Sequence, residues 1–500
     1  MTPARAVAPF ALCALLLATL SAALPAADSA PAASATTVPI PPAVAVWDAP
    51  HMANPILPGY YADPTVLTDA GNYYIYATLD PWGGNTLGCW QSTDFKNWTY
   101  RVLNWPTKQA CTSPTSGGAG VWAPSVVKGQ DGRFHMFVSV GSEVWTGIAD
   151  SPLGPWRNTL SDRPLITADY NRTYHMIDAD AFVDDDGSVY LYWGSGLNWV
   201  NGACFAAKLG KDLASFDGDV KIVTPPHYFE GPTMLKHGGR YYLTYSNGKT
   251  VSDSYEVRYS VSEHPLGPFT EGATSPILVT DRARNIVSPG HHGFFRKGEQ
   301  VYIVYHRHRV PFVEDTANRQ ICIDELRFTP EGLIEKVVPT HTGPALVQGR
   351  TAGRINLADP SRGATATSSG AAAASSDAVA AASSSAASLN SPARVLDDNY
   401  ATFWAAQPDA KGAWLQLDLG SVQKITSSEI RFEFAWKQYA FALESSVDGT
   451  TWKVVTDHRT QPAAGSPVVL PGATEARYLR LVFPDTVEGR DLAVLEWAVY

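Results

Sequence analysis

Three carboxylic acids stand at one recurring place in this chain of 500 residues. They are Asp63 in Asp63–Pro64–Thr65–Val66, Asp178 in Asp178–Ala179–Asp180–Ala181–Phe182, and Glu230 in Glu230–Gly231–Pro232–Thr233–Met234. Ala123–Pro124–Ser125–Val126 and His291–His292–Gly293–Phe294 occupy the same place in two further segments. Each segment precedes a glycine, at offsets of 8, 9, 9, 9 and 7 residues in chain order. Paired carboxyls are what hydrolysis of a glycosidic bond demands, one to protonate the leaving oxygen and one to activate water. Carboxyls held about 6.5–9.5 Å apart leave room for that water, which predicts inversion at the anomeric carbon. A third carboxylate nearby would keep the acid protonated through like-charge repulsion.

The elements that must position these groups are strands. After each segment comes a Gly turn and an aromatic, alternating run: Gly71–Asn72–Tyr73–Tyr74–Ile75–Tyr76, then runs beginning at Gly132, Gly187, Gly239 and Gly298. The glycines are spaced by 61, 55, 52 and 59 residues. A β-unit of this size, repeated five times, matches a four-stranded propeller blade. No sustained helical period interrupts the units, so a doubly wound sheet is excluded. The fold class expected is all-β: a five-bladed β-propeller over residues 46–350, followed by a β-sandwich over 351–500. Within the second domain, an Ala/Ser-rich stretch at about 361–392 reads as an insertion. The segment before the propeller divides into an export signal over 1–27, with Arg5 ahead of the apolar run Ala6–Leu20, and an Ala/Pro/Ser/Thr linker over 28–45.

Composition narrows the partners. The net charge of −10 lacks the clustered Lys and Arg that phosphate binding needs, so no nucleic-acid partner is expected. No run beyond the leader reaches the ~18 apolar residues of a membrane span, so no membrane partner is expected either. A secreted or periplasmic monomer acting on an oligo- or polysaccharide is the expectation. Cys89, Cys111, Cys204 and Cys322 remain after the leader, and Cys89 with Cys111 is the better disulfide candidate by proximity. Asp184, Asp185 and Asp186 suit a solvated hairpin turn. Trp82, Trp122, Trp145 and Trp193 are rings able to stack on a sugar or fill a blade core, and Trp122, next to a recurring position, is the best stacking candidate.

At these residues the chain resembles glycoside hydrolase family 43, from Asn54–Pro55–Ile56–Leu57–Pro58–Gly59–Tyr60–Tyr61–Ala62–Asp63–Pro64 through the fifth repeat. The resemblance implies a five-bladed, inverting enzyme with Asp63 as general base, Glu230 as general acid and Asp178 as the residue that tunes the acid and orients the sugar. Asp180 competes for the last role, and the spacing to Asp184–Asp185–Asp186–Gly187 favours Asp178. The family also implies an axial His, here His291 after Gly290, and an Arg on the sugar hydroxyls, here Arg307 of His306–Arg307–His308–Arg309. No cofactor is expected for the chemistry. From Asn356 to Tyr500 the chain resembles the discoidin-like factor 5/8 type C domains, some of which bind carbohydrate. That likeness implies a structural calcium at Asp397 and Asn399, closed by Glu496, with Asp398 standing where Gly is usual. A second place for calcium is the propeller axis beside His291. Trp436, Tyr439 and Phe441 read as core rather than as a sugar platform.

The expected activity is an inverting exo-glycosidase on plant-type side chains, α-L-arabinofuranosidase first. β-Xylosidase is the alternative within the family. Exo-β-1,3-galactanase is less expected, since those members lack the base that Asp63 supplies. A non-catalytic lectin or adhesin is the alternative of another class.

Overall fold

The computed structural model describes residues 46–116, 119–351, 353–369, 390–406, 412–473, 475–484 and 492–500. The segments read as an export signal and a linker, up to residue 45, and most of the Ala/Ser tract lie outside the described residues. Val44–Tyr500 is one compact unit.

The predicted repeats are five antiparallel sheets, each laid down in sequence order from an inner strand outward. Blade 1 runs through Tyr61–Asp69, Asn72–Leu79, Gly88–Ser92 and Thr99–Arg101. The other inner strands are Val121–Lys128, Asp180–Val183, Glu230–His237 and Gly290–Lys297. Blade 5 has three strands where the others have four. Each inner strand touches the next, and the fifth touches the first, so the blades close a ring. Trp90, Trp98, Trp145 and Trp193 are buried between sheets, so Trp145 and Trp193 are blade core. No α-helix occurs among the described residues, and none of them forms a helix long and apolar enough to cross a membrane.

The inner strands share a device that repetition in sequence only hinted at. Asp63, Ala123, Asp178, Gly231 and His291 all have positive φ, from 35° to 61°. In four of the blades the ladder register shifts at that place. Such a kink re-aims a side chain and frees an amide from the ladder, at a conformational cost for non-glycine residues. The second strand of the preceding blade takes up the freed amide. Thr78 Oγ1 accepts the N–H of Ala123 at 2.8 Å, Ser139 Oγ that of Asp178 at 3.0 Å, and Ser246 Oγ that of His291 at 2.9 Å. His306 Nδ1 accepts the N–H of Asp63 at 3.4 Å and completes the circle. In blade 4 the kink falls on Gly231, so Glu230 sits one residue before the position equivalent to Asp63 and Asp178. A Cβ on Gly231 would lie 3.2–3.4 Å from the His291 ring, in a conformation that already favours glycine.

The C-terminal region is a sandwich of a five-stranded and a four-stranded sheet. Its core includes Trp404, Leu417, Phe432, Tyr439, Phe441 and Trp497. Strand Thr365–Ser368 lies within the stretch read as an insertion and pairs with Trp414–Gln423, so ordered structure continues further than composition indicated. Ala and Ser alternate there with Thr on a sheet edge, which low complexity disguised. The sandwich is fastened to blade 1: Arg431 Nη1 donates to the Trp98 carbonyl at 3.0 Å, and the Tyr100 amide to the Ser466 carbonyl at 2.7 Å.

All four described cysteines are free and buried, so the Cys89–Cys111 disulfide is not formed. Both thiols serve instead as small apolar groups in the core between blades 1 and 2.

Candidate active site

The kinks aim Asp63, Asp178 and His291 into one cavity of about 680 Å³ at the propeller axis, and Glu230 joins them from blade 4. Its walls also carry Trp82, Trp122, His175, Trp199, Phe229 and Arg319. The volume and the mixture of rings with a few convergent polar groups suit a small ligand.

Asp63 is an acceptor surrounded by donors. Thr78 Oγ1 donates to its Oδ2 at 2.7 Å, and Arg319 Nη1 to its Oδ1 at 3.2 Å. His291 Nδ1 lies 3.2 Å from the same Oδ1. Burial alone would raise this carboxyl, but His291, Arg319 and His306 outweigh burial and hold it well below the usual carboxylate range. Arg319 is itself locked, with Nε and Nη2 on the two oxygens of buried Asp80 at 2.9 and 2.7 Å.

The opposite holds for the other two acids. Burial pushes Glu230 up, only partly offset by His291 and by hydroxyls from Tyr255, on Oε1 at 2.7 Å, and Ser195, on Oε2 at 2.8 Å. Burial and the charges of Glu230 and Asp63 drive Asp178 well above its ordinary value. Asp178 Oδ2 is buried without a hydrogen-bond partner, 3.9 Å from His291 Nδ1. The site therefore combines one carboxylate kept ionised with a neighbouring pair that retains a proton.

Trp122 borders the cavity half-buried, its Nε1 donating to the Gly141 carbonyl and its ring edge-on to His175. Arg307 does not reach it. Its guanidinium is fully buried, Nη1 on His341 Nδ1 at 2.8 Å and Nη2 on the Asn54 carbonyl at 3.3 Å. Arg319, which the repeat gave no reason to single out, is the cation at the cavity. Asp180 ties blades together, accepting from Ser125 Oγ and the Met234 amide at 3.1 Å each, and burial lifts it to about 6. Asp184 is engaged with Lys236 and Tyr241 at the surface. His292 faces Thr244, and burial pushes it down to about 3. Trp82, read from the sequence as a ring for a sugar or a blade core, lines the cavity. Trp199, Phe229, Ser195 and Tyr255 escaped sequence reading, although Ser195 stands at a recurring place, 7 or 8 residues after a blade glycine, shared with Thr78, Ser139, Ser246 and His306.

One oxygen each from Asp178 and Glu230 and one His291 nitrogen lie within 4.8 Å of one another. Calcium takes six to eight oxygens, waters among them, and this set would supply two carboxyls beside an imidazole, with water for the rest. The sandwich loop fits better. Asp397 Oδ2 and Thr402 Oγ1 are 2.8 Å apart, the Asn399 carbonyl lies 3.0 Å from the same hydroxyl, and Glu496 Oε2 is buried without a partner. Burial and the charges of Asp397 and Asp398 push Glu496 well up, the situation a hard cation relieves. Asn399 would contribute its main-chain carbonyl, because its side-chain amide holds the carbonyls of Trp47 and Ala49 at 2.9 Å each. Asp398 adopts φ 53°, the conformation for which Gly is usual, and Arg350 Nε neutralises its carboxylate at 2.9 Å.

A five-bladed propeller with an ionised carboxylate facing a buried acid pair that retains a proton in an axial pocket has the frame of a glycoside hydrolase. The sequence profile of Glycosyl hydrolases family 43 matches residues 52–334, and that of the F5/8 type C domain residues 379–496. The chain belongs to glycosyl hydrolases family 43 and is a glycoside hydrolase. It is 35% identical over 319 residues to a β-D-galactofuranosidase of Aspergillus niger, covering 60% of this chain and 87% of that one. It is 28% identical over 344 residues to an arabinoxylan arabinofuranohydrolase of Bacillus subtilis, covering 58% of this chain and 65% of that protein. A solved glycoside hydrolase structure has the same fold, with TM-score 0.74 at 24% identity, covering 91% of this chain and 100% of the other. The lectin alternative is thereby left without support.

Proposed function

We propose that the protein is a secreted or periplasmic, inverting exo-glycosidase that removes terminal α-L-arabinofuranosyl groups from plant polysaccharide. The observation that carries this reading is the gathering of three acids from three blades in one cavity, Asp63 among donors that lower its carboxyl and Asp178 with Glu230 as a buried pair whose proton affinity is raised. Asp63 draws a proton from water as it attacks the anomeric carbon. Glu230 gives its proton to the departing oxygen, and the pair it forms with Asp178 holds one proton that an ionised Asp178 favours on Glu230. Arg319, His291 and the Trp82, Trp122 and Trp199 rings hold the sugar. A pocket rather than an open cleft suits a chain-terminal residue.

A second reading is β-D-galactofuranosidase, favoured by the Aspergillus niger relative. The ring stereochemistry of β-D-galactofuranose follows that of α-L-arabinofuranose, with a longer side arm at C4. The test is turnover of the nitrophenyl α-L-arabinofuranoside, β-D-galactofuranoside and β-D-xyloside, with proton NMR of the first-formed anomer from a natural glycoside. Preference for the arabinofuranoside with an inverted anomer is expected. Preference for another glycoside overturns the substrate, retention overturns the mechanism, and no turnover of any overturns the reading as a whole.

A further inference from the structure

A second cavity, of about 720 Å³, lies where blade 1 meets the sandwich. From the sandwich come Phe434 and Trp436, both half-buried; from the propeller come Tyr100, Asn85, Thr86 and Lys108. The rings are fixed in place. Trp436 is edge-on to Tyr61 at 6.0 Å and to Phe434 at 4.9 Å, and Phe434 packs against Tyr60 at 6.0 Å. Fixed aromatic faces bordered by an amide, a hydroxyl and an ammonium are the chemistry that recognises a neutral sugar chain, whose C–H faces stack while its hydroxyls reach the rim.

The place of this groove gives it an occupant. One turn separates it from the catalytic cavity: Trp82 lines the cavity, while its neighbours Pro81 and Gly83 line the groove. That turn is held from behind, since Asp80 is clamped by Arg319 and the Arg319 guanidinium lies over the Trp82 ring at 5.5 Å. On the other side, Gly84 bridges Val121 of blade 2, next to the cavity wall at Gly120. For a polysaccharide whose end residue enters the cavity, the groove lies one turn away.

We infer that the groove between propeller and sandwich binds the uncharged main chain of the polysaccharide whose terminal sugar occupies the cavity. The sandwich then acts as part of the substrate site, through Phe434 and Trp436. This rests on the glycosidase reading above.

Two variants test it in the full chain. Trp436→Ala removes a stacking face. Ala464→Tyr, at an exposed groove residue, fills the space while leaving every packed ring in place. Activity is measured on soluble arabinoxylan, branched arabinan and arabinogalactan, and on the nitrophenyl glycoside that the wild type cleaves best. The expected result is a loss of about tenfold in kcat/KM on at least one polymer. The nitrophenyl glycoside should stay within about twofold, since it does not reach the groove. Equal losses on polymer and small glycoside, or no loss with Ala464→Tyr on any polymer, overturn the inference. Calorimetric titration of the same polymers into wild type and Ala464→Tyr keeps the two readings apart. If no glycoside is cleaved, the proposed activity fails, while binding that Ala464→Tyr abolishes still supports the groove. Absence of binding by the wild type, or equal binding by both, overturns it.

Discussion

Ser195 Oγ donates to Glu230 Oε2 at 2.8 Å from the second-strand end of blade 3, the place where Thr78, Ser139, Ser246 and His306 capture a backbone amide of the following blade. In blade 4 the kink has moved to Gly231, and the hydroxyl that elsewhere fastens backbone fastens the acid itself. The interlock of the propeller and the positioning of its chemistry are one device.

The first expectation concerns the acid. Glu230→Gln keeps the shape and hydrogen-bonding capacity but has no proton to give, so kcat on natural glycosides should fall about 10²–10⁴-fold. A leaving group that departs as a stable anion needs little protonation. With a dinitrophenyl glycoside the loss should be much smaller, and an equal loss on both substrates would remove Glu230 from the acid role.

The pH profile follows from the two directions. Activity requires Asp63 ionised, and its depressed value places the acidic limb of kcat/KM below the ordinary Asp value of 3.8. Activity also requires Glu230 protonated, and its raised value places the alkaline limb above the ordinary 4.5. Ser195→Ala removes a donor that favours the ionised carboxylate, so the Glu230 value should rise further. The alkaline limb should move up by about one pH unit, the worth of a hydrogen bond to a charged group. A downward move would contradict the hydrogen bond's direction.

Two arginines of the fifth blade should separate in their effects. Arg307→Met leaves His341 and the Asn54 carbonyl without their donor and should lower the melting temperature, with KM unchanged. Arg319→Met strands Asp80 as a buried acid without its guanidinium, at about 3–5 kcal/mol, and takes one donor from Asp63, which keeps Thr78 and His291. In what remains folded, the acidic limb should move toward the ordinary Asp value. Calorimetry and a pH-resolved assay check both.

If a cation occupies the Asp397–Thr402–Glu496 loop, chelation should lower the melting temperature, with calcium restoring it. At a free concentration one hundred times the dissociation constant the stabilisation is about 2.7 kcal/mol. Glu496→Gln should abolish the response to calcium while leaving the propeller's kcat on a nitrophenyl glycoside unchanged. An unchanged melting curve in chelator would remove calcium from this loop.

The repeat in sequence determined the blades, because a Gly turn followed by an alternating aromatic strand is a local pattern, and five copies leave little choice of architecture. It also brought Asp63, Asp178 and His291 to equivalent positions and Glu230 to within one residue of one. Low complexity hid the strand Thr365–Ser368, whose residues carry no hydrophobic alternation. What the tertiary structure alone decided is parity and convergence. Neighbours on a strand point to opposite faces, so His306 and His308 both turn toward Thr250 while Arg307, between them, turns to His341 and Asn54. Arg319 is the cross-strand partner of His308 and shares its face. A one-residue change of register would have exchanged the two arginines, and nothing local to His306–Arg307–His308–Arg309 fixes that choice. Ser195, Tyr255, Trp82 and Trp199 belong to different blades and loops, and only closure of the ring brings them around the three acids that the sequence had already placed.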